Sequence, residues 1–138
     1  MPYPAVPGTV AVVRRTVGAL AQAHGASAER VDSVRLAVSE AVTNAVVHGY
    51  PEGSGEVRVT AMTVREQLLV VVEDDGRGID ERAESPGLGL GLPLIAAHTA
   101  HWTLATPPHG GVQLEMRFDL GSARPAPRHL DASAVAAR

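Results

Sequence analysis

Three short stretches of the 138-residue sequence hold residue types that could do chemistry. RLAVSEAVTNAVVHGY sets Glu40, Asn44 and His48 four residues apart. On an α-helix each such step advances by about 40°, so the three share one side, at the border of an apolar face formed by Val38, Ala41, Val42 and Ala45. Their heads can enter a cleft between the helix and neighbouring loops; the same spacing also suits a solvated polar edge with a histidine favoured by the helix dipole. VVVEDDGRGID follows an apolar run with Glu73 and two aspartates, the first of them Asp74, and then places Gly76 and Gly78 one residue apart. A carboxylate at a strand end can accept a hydrogen bond from an exocyclic amine, and glycines let the backbone approach a flat ring; an ordinary Asp-Gly turn has the same composition. GLGLGLPLI alternates Gly87, Gly89 and Gly91 ahead of an apolar helix. Backbone N–H groups exposed at a helix N-terminus make a site for an anion, phosphate above all. The run lacks the spacing of a dinucleotide fingerprint.

The elements that must position these residues follow from the hydrophobic pattern. Val10, Val13, Val17, Leu20 and Ala21 recur at helical spacing between Pro7 and His24, with Gly25 as a stop. Ser27 reads as the N-cap of a longer helix whose buried stripe is Val31, Val34, Val38, Ala41, Val42 and Ala45, and which ends near His48-Gly49. PEGSGE is a turn by composition, and Val57, Val59 and Ala61 then alternate as in a half-buried strand. A hairpin through Arg65-Glu66-Gln67 leads into Leu68–Val72, an unbroken apolar run that suits a strand covered on both faces. A helix from about Leu92 to Ala100 or His101 and strands over Trp102–Thr106 and Val112–Leu120, joined by PPHGG, complete the order. This predicts a two-layer α/β sandwich: a mixed, mostly antiparallel sheet with helices on one face. Residues 1–120 form the domain, and 121–138, rich in Ala, Pro and Arg, read as a disordered or loosely docked tail.

Taken together and in this order, Glu-x3-Asn-x3-His on a helix, Asp-x-Gly-x-Gly-Ile after a strand and Gly-x-Gly-x-Gly-Leu at a helix start resemble the N, G1 and G2 boxes of the GHKL ATP-binding superfamily, with its histidine kinase-like ATPase fold. SEAVTNAVVHGY is similar to the bacterial anti-sigma factor serine kinases, which phosphorylate anti-anti-sigma (STAS-domain) proteins. The resemblance spans roughly residues 7–119. It implies that Glu40 is the catalytic base toward the attacking hydroxyl and that Asn44 is a Mg²⁺ ligand. It further implies that Asp74 accepts the adenine amine, that Gly76, Gly78 and Ile79 lie at the base, and that Gly87, Gly89, Gly91 and Leu92 form the phosphate loop. Thr43 and His48 border the site. The implied cofactors are ATP and Mg²⁺, an ion that takes oxygen ligands and leaves much of its shell to phosphates and water.

The chain departs from that pattern in four places. Residues 80–86 alone separate the two glycine boxes, so the lid is short and weak ATP retention is expected. Gly111-Val112 stands where a threonine usually precedes the last strand, and AAHTAHW where an acidic residue often follows the second box. MPYPAV is short for the family's first strand, which leaves a homodimer through that strand open.

Composition excludes other chemistry. All 12 basic residues are arginine; there is no lysine and no cysteine, and 15 acidic residues leave a net charge of −3. Walker A loops, Schiff-base enzymes, thiolate nucleophiles and cysteine-held metals are thereby ruled out. The acidic balance argues against direct nucleic-acid binding, and the start lacks a secretory signal while no run nears the roughly 18 apolar residues of a membrane span. The expectation is a cytoplasmic protein acting as an ATP-dependent serine/threonine protein kinase, an anti-sigma or switch regulator. Its partners would be a STAS-domain protein and, further, a sigma factor. The alternative is an ATP-binding module that sequesters a partner without significant kinase activity. The catalytic half of a histidine kinase fits less well, because only about two dozen residues precede the second helix.

Overall fold

Pro7 opens the first helix, α1 (Pro7–Ala23), at a position where its missing N–H costs nothing. The second, α2 (Ala28–Asn44), is capped by the Ser27 hydroxyl, which accepts the Arg30 N–H at 3.3 Å. The computed structural model describes residues 1–50, 52, 54–78 and 88–121. The predicted stripes meet: Val13, Val17 and Ala21 of α1 and Val31, Val34, Val38, Ala41 and Val42 of α2 are all buried in one core. Val10 and Leu20 pack at its margin.

Five strands form one sheet: β1 (Pro2–Pro4), β2 (Glu56–Val64), β3 (Gln67–Asp74), β4 (His101–Ala105) and β5 (Val112–Asp119), in the order β1-β2-β3-β5-β4. Every pairing among the described residues is antiparallel, so the mixed sheet that was expected is antiparallel throughout. β3 and β4 run parallel, but β5 separates them; the third helix, α3 (Leu88–His98), lies on the chain path between them. The inward residues Val57 and Val59, Leu68, Val70 and Val72, and Leu114, Met116 and Phe118 bury against the helices.

Several boundaries differ from the sequence expectation. The hairpin turn is Arg65-Glu66 alone, with Arg65 at φ 56°, and Gln67 already pairs with Val64. The apolar run of β3 is covered on one face only. Leu69 and Val71 are half-buried on the face away from the helices, beside Met62 and Val64, which are largely exposed. The third helix begins four residues before Leu92 and ends at His98, and His101 is in β4. Of the expected tail, 121–138, only Gly121 is described, and residues 122–138 lie outside the described residues. No described helix is long and apolar enough to cross a membrane.

Candidate functional site

At one end of the sandwich the C-terminus of α2, the end of β3 and the start of α3 converge. Beyond Asn44 the helix winds on as a π-helical turn, Ala45–Gly49. Its i→i+5 bonding turns less per residue than an α-helix, so the 40° progression expected for Glu40, Asn44 and His48 holds for the first pair and not for His48. Glu40, Thr43, Asn44 and His48 are all half-buried.

Gly91 brings α3 against this helix. A Cβ there would lie 2.9 Å from Asn44 Nδ2, 3.2 Å from Asn44 Oδ1 and 3.2 Å from Glu40 Oε2. The carboxylate and amide that the sequence placed on one side therefore face the first turns of α3 across a gap that only a glycine leaves open. Gly89 is inside this helix as well, so the glycine run is helical from Leu88 and not a loop ahead of the helix. Pro93 lies inside this helix, and packing on α2 carries the helix through it. Leu92 packs partly buried against the core. Gly87 and Ile79 lie outside the described residues.

The end of β3 separates its two aspartates by burial. Asp74 is on the inward face, 2% exposed, with Val57 and Val112 as its cross-strand neighbours. Its Oδ1 accepts the Gly76 N–H at 3.1 Å, closing the turn. A buried carboxylate is costly unless it is hydrogen-bonded, which is the cost a protein tolerates where a ligand must be read. Asp75 points outward into a bidentate pair with Arg58, both N···O distances 2.8 Å, with His109 Nε2 at 3.2 Å. Hydrogen bonding to Arg58 holds the Asp75 carboxyl below the ordinary carboxylate range against the opposing desolvation, and the same bond raises the Arg58 guanidinium.

Gly76 is required by the close approach of the helix end: a Cβ would collide with the Gly49 carbonyl, and that carbonyl accepts the Arg77 N–H at 3.1 Å. A Cβ at Gly78 would meet nothing within 4 Å, so packing makes no such demand there.

The histidine kinase-like ATPase domain family matches residues 3–118. The chain belongs to that family. Among its relatives, the serine-protein kinase RsbW of Bacillus licheniformis is 36% identical over 100 residues, 72% of this chain and 61% of that protein. The anti-sigma F factor of Clostridium acetobutylicum is 41% identical over 75 residues, 53% of this chain and 52% of that protein. The chain thus spans about three-fifths or less of the length of these relatives. The crystal structure of the ATP-binding domain of PrrB from Mycobacterium tuberculosis resembles it with a TM-score of 0.50 at 30% identity, over 67% of this chain and 70% of that one.

Within this histidine kinase-like ATPase domain, the structural roles of three positions at the site had escaped the sequence reading. Gly49 and Tyr50 join the helix end to the base-side turn, and Gly111, at φ 77°, backs against the Asp74 carbonyl, where any Cβ would clash. The signal for the first two was an aromatic residue directly after the helix stop; for Gly111 it was the glycine pair at a strand entrance.

Proposed function

We propose that the chain binds ATP with Mg²⁺ and is a serine/threonine protein kinase, an anti-sigma or switch factor whose substrate is a STAS-domain anti-anti-sigma protein and whose further partner is a sigma factor. The observation that carries the reading is the meeting of Glu40, Asn44 and Gly91 at the end of the fold where the buried Asp74 also terminates β3. The names of the relatives support the activity, and the family match supports ATP as the nucleotide.

The residues present fit a magnesium ion. Asn44 offers an amide oxygen beside the Glu40 carboxylate, in a cradle that a Cβ at Gly91 would fill, and hard oxygen donors suit this ion. No cluster of three or more His, Cys, Asp and Glu occurs among the described residues, so Asn44 would hold the ion together with phosphate oxygens and water. Bound there, it would neutralise charge on the phosphates. Asp74 would accept the hydrogen bond of the adenine amine, and Gly76, packed on the Gly49 carbonyl, would hold the turn beside it. Backbone N–H groups of the first turn of α3, with the helix dipole behind them, would meet phosphate oxygens. Glu40 would orient a serine or threonine hydroxyl of the partner and take its proton as the hydroxyl oxygen bonds to the γ-phosphorus. ADP leaves. With no lysine in the chain, charge on the phosphates falls to the ion, these amides and arginine.

Titration calorimetry with Asp74→Asn tests the base assignment. The amide presents an N–H₂ donor as well as an acceptor, and ATP affinity should fall by about ten-fold or more. Affinity equal to that of the wild type would show the adenine assignment to be wrong.

A further inference from the structure

We propose that Tyr50 is a positioning residue that holds the turn after β3 and thereby sets the preference for an amine-bearing purine; this rests on the reading of Asp74 as the adenine acceptor. Three successive backbone N–H groups of that turn have fixed acceptors. Asp75 N–H donates to the Tyr50 hydroxyl at 2.8 Å, Gly76 N–H to Asp74 Oδ1 at 3.1 Å, and Arg77 N–H to the Gly49 carbonyl at 3.1 Å. Two of the three acceptors belong to consecutive residues at the end of the helix that carries Glu40 and Asn44. The turn is therefore registered against the catalytic helix as well as against its own strand.

Tyr50 is itself fixed at both ends. Its hydroxyl donates to the Glu56 carbonyl at 2.8 Å, at the entrance of β2, and its ring fills the space that a Cβ at Gly55 would need. One oxygen thus accepts from the turn and donates to the neighbouring strand, using its full bridging capacity. The Arg58–Asp75 pair holds the outer side of the same turn through side chains, while Tyr50 acts on the backbone one residue from Asp74. Phenylalanine would keep the ring on Gly55 and lose both hydrogen bonds. The freed Asp75 N–H lies where water can replace the hydroxyl, so the fold persists while the direction of the neighbouring Asp74 carboxylate loosens.

The test is calorimetric titration of wild type and Tyr50→Phe with ATP and with purine riboside triphosphate, which carries hydrogen in place of the adenine amine. The expected result is a fall of about five-fold in ATP affinity for Tyr50→Phe, with affinity for the analogue changed by less than about two-fold. Retained analogue binding also reports a folded site. Unchanged ATP affinity, or equal loss for both nucleotides, would overturn the positioning role. A wild type that does not distinguish the two nucleotides would overturn the Asp74 reading, and this inference with it; a wild-type preference that Tyr50→Phe leaves intact overturns this inference alone.

Discussion

Small changes at three residues should have sharply different effects because their surroundings differ. Gly91→Ala adds one methyl between α2 and α3, within 3.2 Å of both Asn44 and Glu40. Alanine favours the helix, so α3 itself should not suffer; the methyl acts on the two side chains it displaces. We expect phosphotransfer to fall by about ten-fold or more while the unfolding midpoint moves little, measured by paired activity and thermal denaturation. Gly111→Ala should do the reverse, costing about 3 kcal/mol in stability by denaturant titration, since φ 77° is strained for any side chain and the Cβ meets the Asp74 carbonyl. Arg58→Ala belongs to the surface. Its pair with Asp75 is partly exposed and screened, so the loss should be about 1 kcal/mol or less at pH 7. Asp75 has a folded value below its unfolded one, so the pair stabilises above the ordinary carboxylate value of 3.8 and is lost as pH falls below it. The difference between wild type and Arg58→Ala should therefore close in that acidic window.

Among the elements, α2 was the most legible: period and cap are written in Ser27 and the valine-alanine stripe, and every residue of that stripe is buried, with Ala37 added to it. Ser27→Ala should cost about 1 kcal/mol, read from the denaturation midpoint. Its last turn was not legible, because π winding leaves no mark in hydrophobic spacing and depends on what the helix end meets, here the Gly76-Arg77 backbone. The start of α3 was misplaced for a similar reason. Glycines and Pro93 weaken helix propensity locally, and the contact with Asn44 and Glu40 that offsets them joins positions about 50 residues apart in sequence. Which carboxylate of the Asp74-Asp75 pair turns inward was fixed by strand parity, and the pairing with Val57 and Val112 agrees with the motif on Asp74. The turn network around Tyr50 was invisible because its partners are backbone atoms.

For the molecule as a whole, the order β1-β2-β3-β5-β4 sets β3 at the centre, so its end, and Asp74 with it, faces the helix layer near the end of α2. The short first strand pairs with β2 over Pro2–Pro4, and backbone hydrogen bonds join Met1 to Val59 and Ala5 to Gly55 on either side of it. What the fold does supply is a carboxylate, an amide and a helix N-terminus at one end, within a family of ATPase domains. The most direct measurement is transfer of label from γ-³²P-ATP with Mg²⁺ to a STAS-domain partner, by wild type and by Glu40→Ala, each first shown to bind ATP. The account predicts label on a serine or threonine of the partner with wild type and at least about a hundred-fold less with Glu40→Ala. An unlabelled partner that nonetheless forms a nucleotide-dependent complex with wild type would contradict it and establish sequestration without catalysis.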